Sequence, residues 1–369
     1  MRAPSPARRG TGGGRSLALI AVAALAGCAS PAYYLQAVGG QIELWREARP
    51  VAQVRADAAT QADLRHKLDI ALRIRDFAST DLGLPANGSY RSYADVKRPY
   101  AVWTVFAAEA FSVEPKQWCF PVAGCVGYRG YFAADDAEEY AQALRRNGYD
   151  VHVGGVAAYS TLGWFDDPLL NTFIHYPETE LARLVFHELA HQVVYVKDDS
   201  VFNESFATAV EMAGIDRWLT QNGTPAQRAA FEQAQSRRRD FHDLVLRFRE
   251  QLQTLYASDR GPQEMARLKT QILGELQEEY RALRNGPWNG FAGYDRWFGQ
   301  EINNATLASI GIYTELVPAF EALLARNAGD LPRFYDEVKR LAALPKENRQ
   351  ARLARVLADA TQSAALRAR

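Results

Sequence analysis

Two histidines and a glutamate lie close together in residues 184–192, which read LVFHELAHQ. His187 and His191 are four positions apart, and Glu188 follows the first of them. On a helix, this spacing brings both imidazoles to one face, about a turn apart, where they can bind a single zinc ion. Glu188 can then act as the general base of a hydrolysis. The alternative, histidines bonded to core neighbours, would bury three polar groups at a cost in free energy.

A catalytic zinc site needs a third protein ligand and one open position. Glu204 lies thirteen positions after His191, in the sequence NESFAT of residues 203–208. Residues 197–200 are polar and predict a short turn, after which a second helix can fold back and point Glu204 at the metal. Glu211 lies one heptad later on the same face. It is the alternative third ligand, or else it supports the site without touching the metal.

The segments around these residues predict an α+β fold that is mainly helical. Apolar residues recur at helical spacing, and two segments rich in Val, Trp and Tyr or Phe predict strands at 101–107 and 149–159. Residues 83–99 predict a loop. Helices are predicted at 33–49, 53–78, 135–147, 178–196, 202–220, 224–256, 262–284, 303–325, 330–343 and 347–367. We therefore expect a small N-terminal sheet packed on a zinc-binding helix pair, with a helical C-terminal half.

The domain organisation is predicted from the same pattern. Residues 1–27 are assigned to a signal peptide, residues 28–222 to an α+β part that holds the zinc site, and residues 223–369 to a helical part. Within the last of these, residues 226–284 are charged and predict an antiparallel helix pair.

The first residues have the composition of a secretion signal. Residues 1–27 contain four arginines and no acid, and residues 17–27 are an uninterrupted apolar run. Eleven apolar residues are too few to cross a bilayer, which needs about 20, but they suit the core of a signal peptide. The sequence LAGC at 25–28 resembles the lipobox of bacterial lipoproteins, which implies lipidation of Cys28. The residue after it is Ala29, and by resemblance to Gram-negative lipoproteins this favours the outer membrane, with the body facing the periplasm.

Composition and cysteine usage agree with an exported globular protein. The 369 residues are 48% hydrophobic and 23% charged, which excludes disordered and collagen-like chains. Basic and acidic side chains number 43 each, so no basic face predicts a nucleic-acid partner. With Cys28 lipidated, Cys119 and Cys125 remain, and in an oxidising compartment they can form a disulfide. Two buried thiols are the alternative.

The zinc motif carries a resemblance to known proteins. HExxH at 187–191 followed by NExxA at 203–207 is similar to the signature of the gluzincin metallopeptidases. The eleven residues between His191 and Asn203 are fewer than in the best-known aminopeptidase group. The resemblance implies that His187, His191 and Glu204 bind one Zn2+ and that Glu188 is the catalytic base.

Further segments resemble a family of bacterial lipoproteins described as predicted aminopeptidases. The similarity covers most of residues 30–325. The segments that carry it are YYLQA at 33–37, GQ at 40–41, NGSYR at 87–91, CFP at 119–121, YRGYF at 128–132, YSTLGWFDDP at 159–168 and NNA at 303–305.

The gluzincin resemblance also implies roles in substrate binding. A strand near a gluzincin site pairs with the substrate backbone, and here the glycine-containing stretch with Gly155 and Tyr159 is the candidate, unless it is an ordinary central strand. An oxyanion donor is expected from a later helix, with Tyr313 preferred over Tyr294 and His242, unless these are packing or capping residues. Arg129 could hold a substrate carboxylate, or be a surface arginine.

An aminopeptidase also needs an acid for the substrate ammonium group. Asp166 and Asp167 are the candidates, unless they only form the turn before Pro168.

These expectations converge on a zinc-dependent peptidase, an aminopeptidase by resemblance, whose partners are a peptide substrate and the membrane at Cys28. A lipid-anchored zinc protein that binds or assembles without turnover is the alternative. Glu188 argues against it, because a structural zinc site does not need a general base. The sequence leaves open exo- against endo-cleavage, the residue preference and the oligomeric state.

Overall fold

The structure is a computed structural model, and it describes residues 31–120, 124–158, 160–311 and 316–367. The first half combines helices with short strands and the second half is helical, so the predicted α+β, mainly helical class is confirmed. The helices are α1 (Pro31–Glu47), α2 (Val51–Ala56), α3 (Ala62–Thr80), α4 (Ala134–Arg146), α5 (Glu178–His191), α6 (Ser200–Asn222), α7 (Pro225–Tyr256), α8 (Pro262–Asn285), α9 (Asp295–Phe298), α10 (Asn304–Gly311), α11 (Val317–Arg326), α12 (Leu331–Ala342) and α13 (Lys346–Arg367). The strands are β1 (Arg49–Pro50), β2 (Ser92–Ala94), β3 (Val102–Ala108), β4 (Trp118–Phe120), β5 (Gly124–Val126), β6 (Arg129–Tyr131), β7 (Asp150–Val156) and β8 (Leu169–Leu170).

The principal sheet has three antiparallel strands in the order β6-β3-β7. The middle strand, β3, is almost wholly buried, as expected for VWTVFAA with strands on both sides. The outer strand, β7, pairs with β3 from Val102↔Val156 to Ala108↔Asp150. The strand predicted at 149–159 is present as β7 over Asp150–Val156, and it lies at the edge of this sheet.

Helices α5 and α6 pack along each other. Helix α5 turns a continuous apolar face inward, which includes Leu181, Val185 and Leu189. Close approach of α6 depends on Gly214, because a Cβ there would lie 2.7 Å from the ring of Phe186. A side chain at this position would force the two helices apart.

Polar contacts fix the turn between α5 and α6. The amide of Asn203 accepts from Val196 N at 2.7 Å and donates to Val196 O at 2.8 Å. Asp199 accepts from Phe202 N at the start of α6, and it forms a buried ion pair with Arg349 at 2.6 Å. These bonds hold the first turn of α6 in a fixed position relative to the end of α5.

The apolar core has two principal parts. One contains the buried faces of α3, α5 and α6 together with α11, α12 and α13. The other lies between α7 and α8 and includes Phe248, Leu276 and Trp288. The predicted pairing of helices within 226–284 is thereby confirmed, whereas the boundary at 222/223 stays a prediction.

Two predicted helices are divided in the structure, and the helix expected at 178–196 ends at His191. The helix expected at 53–78 is divided into α2 and α3, because Asp57 has an extended backbone and its carboxylate accepts from Ala59 N at 3.0 Å. This side-chain bond competes with helix continuation. The helix expected at 303–325 is present as α10 and α11, with residues 312–315 outside the described ranges. Over the described residues, none of the helices combines the length and apolarity that crossing a membrane requires.

Candidate metal centre

Three side chains from the adjacent helices α5 and α6 converge at one point. Nε2 of His187 lies 3.2 Å from Oε2 of Glu204, and Nε2 of His191 lies 3.7 Å from the same oxygen. One ligand atom from each residue lies within 4.8 Å of the other two. The three residues predicted from the sequence as metal ligands are therefore brought together.

The donor set fits a zinc ion. Tetrahedral ligands at the usual zinc distances are separated from each other by roughly 3.3 Å, close to the two observed separations. Two imidazoles and one carboxylate are a ligand set that catalytic zinc sites use, and three protein ligands leave one position open. The arrangement is thus compatible with a catalytic site, as well as with metal binding in general.

Glu211 contacts His187 on the side of the ring that faces away from the metal position. His187 Nδ1 donates to Oε2 of Glu211 at 2.9 Å, while the other oxygen of Glu211 lies 3.3 Å from Nε of Arg183. A carboxylate on the far nitrogen of a histidine fixes its tautomer and turns Nε2 towards the metal position. Of the two roles considered for Glu211, the geometry favours support of His187.

The charges of the three residues favour a cation between them. Burial alone would lower the pKa of His187, but its hydrogen bonds with Glu204 and Glu211 raise it well above its usual value. Burial lowers the pKa of His191 to about 4. Burial would raise the pKa of Glu204, but the two histidines lower it. Glu204 and Glu211 thus stabilise the protonated, positively charged form of His187. A bound metal ion can supply that positive charge in place of the proton.

Glu188 has the properties of a general base. Burial raises its pKa to about 7, although the charge of His187 opposes the shift. A carboxylate with a pKa near neutrality can both accept and return a proton at pH 7. The negative charges of Glu204 and Asp167 also raise the pKa of Glu188, after the larger effect of burial.

Asp167 is held in the site by its own contacts. It is 5% exposed, and its Oδ2 accepts from Thr161 N at 3.0 Å. Burial raises its pKa to about 6. Its neighbour Asp166 lies against Gly88, where a Cβ would be 2.2 Å from Oδ2.

The segment 87–89 joins this acid loop to the end of α5. Asn87 donates to Gln192 Oε1 at 2.7 Å, and Gln192 donates to Ser89 Oγ at 3.2 Å. Beneath the loop, the buried guanidinium of Arg75 donates to the carbonyls of Ser89 and Pro85, both at 2.7 Å. The resemblance had drawn attention to NGSYR at 87–91, and the structure shows that part of it positions the loop beside Glu188.

The sequence did not single out two tyrosines that interact electrostatically with the ligand carboxylate of Glu204. Burial raises the pKa of Tyr128, and the charges of Glu204, Tyr195 and Glu188 raise it further. The ring of Tyr128 packs on Phe106 of β3 at 5.7 Å. The same carboxylate, Glu204, contributes to a raised pKa of Tyr195, after the larger effect of burial. Tyr128 belongs to the YRGYF segment at 128–132, and the family resemblance of that segment is the sequence signal that could have identified it.

A disulfide positions the turn from which Tyr128 follows. Cys119 and Cys125 are bonded to each other across the hairpin of β4 and β5. Cys125 N donates to Asp198 Oδ1 at 2.5 Å, and Asp198 belongs to the turn before α6. The hairpin is thereby attached to the helix that carries Glu204.

Other predicted site residues have different surroundings. Gly155 lies on the edge strand, and a Cβ there would be 2.2 Å from the ring of Tyr100. Arg129 is buried, so it is not a surface arginine, and its guanidinium lies over the rings of Tyr33 at 4.0 Å and Tyr140 at 4.4 Å. No part of the structure tests its predicted contact with a substrate carboxylate.

The remaining candidates divide into two groups. Tyr294 stacks on Phe241 of α7 at 4.3 Å in the second core, and His242 directly follows Phe241 in the sequence. Tyr294 and His242 are therefore placed with α7 rather than with the metal ligands. Tyr159, Tyr313 and Cys28 lie outside the described residues.

Comparison with known proteins agrees with the motif. No curated protein and no solved structure matches the chain. A family model described as "Putative aminopeptidase" matches residues 32–353, which is most of the sequence. The chain therefore belongs to this aminopeptidase family.

Proposed function

We propose that this protein is a zinc-dependent peptidase, acting as an aminopeptidase in the bacterial envelope. The observation that carries the proposal is the convergence of His187, His191 and Glu204 beside the half-buried Glu188. A structural metal site has no use for a base with a pKa near 7 next to its ligands. Family membership supports peptide-bond hydrolysis as the reaction.

His187, His191 and Glu204 would hold the zinc ion. The ion would supply Lewis acidity, polarising the substrate carbonyl and making water more acidic. Glu211 orients His187 through Nδ1, so the ligand nitrogen is fixed before the ion arrives.

Glu188 accepts a proton from the attacking water and delivers it to the leaving amine. Its burial supports both steps, because a pKa of about 7 makes the carboxylate a competent base and its acid form a competent donor. We assign the hydrogen bond to the developing oxyanion to Tyr128, whose pKa is raised by burial and by the charges of Glu204 and Glu188.

An aminopeptidase must also bind the ammonium group of its substrate. We assign this contact to Asp167, which lies close enough to Glu188 to raise its pKa. Thr161 N donates to the carboxylate at 3.0 Å, and the backbone N of Asp167 donates to Ser89 Oγ at 3.3 Å. A carboxylate that binds this ammonium group would select peptides with a free N-terminus.

The proposed location is the periplasmic face of the outer membrane. It rests on the apolar segment 17–27 and on the lipobox cysteine Cys28. Lipidation at two or more acyl chains would give stable anchoring.

The experiment compares hydrolysis of a peptide library before and after chelation, with zinc added back. Purified full-length protein should cleave, lose activity with the chelator and regain it with zinc. Glu188→Gln, prepared in parallel, tests the assigned base, and a His187→Ala/His191→Ala preparation is the control for contaminating peptidases. Peptides with free and acetylated N-termini separate an aminopeptidase from an endopeptidase.

Zinc binding without any cleavage would contradict the proposal and would favour the binding or assembly protein. Equal cleavage by wild type and Glu188→Gln would contradict the assigned base.

A further inference from the structure

We infer that one face of α1, together with the aromatic tip of the loop 160–168, lies against the lipid surface of the membrane that anchors the chain. We call this surface the apolar stripe: Leu35, Val38, Ile42, Trp45, Trp164 and Phe165. The inference goes beyond the peptidase reaction and rests on the proposed anchor at Cys28.

The first part of the stripe is a row of apolar side chains along α1. Positions 35, 38, 42 and 45 alternate in steps of three and four, which places them on one face of a helix. Leu35 is 72% exposed, Val38 57% and Trp45 41%. An exposed row of this kind does not help α1 to fold against the rest of the protein.

The second part is the tip of the loop, which continues the row. Trp164 is 70% exposed and Phe165 48%, and the ring of Phe165 packs on Trp45 with 4.5 Å between centroids. Single exposed apolar residues are common on soluble proteins, but contiguous patches mark an interaction surface. Tryptophan is enriched where proteins meet the headgroup region of a bilayer.

The opposite face of α1 is already used for packing within the protein. Leu44 is buried, and Gly40 lies so close to Phe132 that a Cβ would be 2.0 Å from its ring. Gln36 donates to Gly130 O at 3.4 Å and accepts from Phe132 N at 3.1 Å. These contacts fix the rotation of α1, so the stripe points in one direction relative to the body.

A charged face separates the stripe from the packed face on one side of the helix. It contains Glu43, Arg46 and Glu47, all exposed. A helix with one apolar and one charged exposed face is suited to lie in the plane of a membrane surface.

Chain connectivity argues for lipid as the occupant. Pro31, the first residue of α1, follows Cys28 by three residues, so it can lie at most about 11 Å from the anchor. An acylated Cys28 would therefore hold the start of the stripe at the bilayer surface whatever the rest of the chain does. A second copy of the chain would have no such constraint to bring it to this face.

The contact would also bear on the candidate site. The loop tip and Asp167 belong to one turn, closed by Thr161, whose Oγ1 accepts from Phe165 N at 3.2 Å and donates to Phe165 O at 3.1 Å. Membrane contact at Trp164 and Phe165 would thus restrict the motion of Asp167, the acid that interacts electrostatically with Glu188.

The experiment uses the full-length chain reconstituted in phosphatidylethanolamine and phosphatidylglycerol vesicles, with and without brominated acyl chains. Bromine quenches only tryptophans that reach the lipid. We expect part of the fluorescence to be quenched, and the double variant Trp45→Phe/Trp164→Phe to lose most of the quenched component. Equal quenching in this variant, or no quenching in the wild type, would overturn the inference.

A second comparison keeps both tryptophans. Leu35→Glu/Val38→Glu should reduce quenching at least threefold, whereas Leu344→Glu/Leu357→Glu, which alters two exposed leucines outside the stripe, should leave it unchanged. A dimer in detergent that Leu35→Glu/Val38→Glu converts to monomers, without bromine quenching, would show that the stripe binds a second copy.

Acyl labelling of Cys28 is measured on the same samples. Acyl-labelled protein without quenching would contradict the membrane contact of the apolar stripe but not the anchor. Protein without acyl label would contradict the anchor at Cys28.

Discussion

His187 Nδ1 donates a hydrogen bond of 2.9 Å to Oε2 of Glu211, a carboxylate that lies seven residues beyond Glu204 on the same helix. One helix therefore provides both a metal ligand and the group that orients another ligand. Heptad spacing makes this possible, because two turns of helix bring Glu204 and Glu211 to the same face.

This relationship predicts the effect of Glu211→Gln. The amide is a weaker acceptor for the imidazole N–H, so zinc affinity should fall by about 10- to 100-fold while the fold is retained. Competition with a zinc chelator measures the affinity, and circular dichroism checks the fold. Glu180→Gln is the matched control, since Glu180 also contacts Arg183, at 3.4 Å, but does not contact His187. Equal losses in both variants would show that the charge around Arg183, not the orientation of His187, is what matters.

Glu188 and Glu204 should respond differently to the same substitution. Glu188→Gln should retain zinc but lose hydrolysis by at least about 10²–10⁴-fold, because an amide cannot accept the proton. Glu204→Gln should bind zinc weakly and recover part of its activity when zinc is added. Zinc content and peptide hydrolysis are measured on both across a zinc titration. Rescue of Glu188→Gln, rather than Glu204→Gln, by zinc would reverse the two assigned roles.

His152 should make the free energy of unfolding depend on pH. Burial lowers its pKa to about 4 from 6.5, so the unfolded chain binds a proton that the folded chain does not. The free energy of unfolding should therefore fall as pH decreases from 6.5 towards 4, by up to about 3 kcal/mol from this residue. Denaturant unfolding of His152→Gln should show a weaker dependence over this range. His66→Gln, at an exposed histidine, should retain the slope of the wild type.

Cys28→Ser tests the anchor. Without the thiol there is no acyl acceptor, so radiolabelled fatty acid should not be incorporated and the protein should remain unprocessed or be released from the membrane. Fractionation of envelope membranes with and without the substitution gives the result. Recovery of the variant in the outer membrane, in the same proportion as the wild type, would contradict the lipobox interpretation.

The metal ligands could be predicted from the sequence because their arrangement is local. His187 and His191 share a face as a direct result of helical spacing, whatever surrounds the helix. Glu204 required only the short turn before α6, and the structure brings its carboxylate to the two histidines. The same periodicity predicted the helical C-terminal half, although it missed the break at Asp57, where a side-chain bond replaces the helical one.

Tertiary structure decided which residues surround those ligands. Tyr128 lies in the turn before β6, 50 residues upstream of the start of α5, and no local pattern distinguishes it from the other tyrosines. Arg129, its neighbour, has its guanidinium between tyrosine rings contributed by α1 and α4. The position of the stripe likewise depends on which face of α1 packs against Phe132. Spacing along a chain fixes neighbours within one element, whereas contacts between elements depend on how their buried faces pack, and only the folded structure shows that.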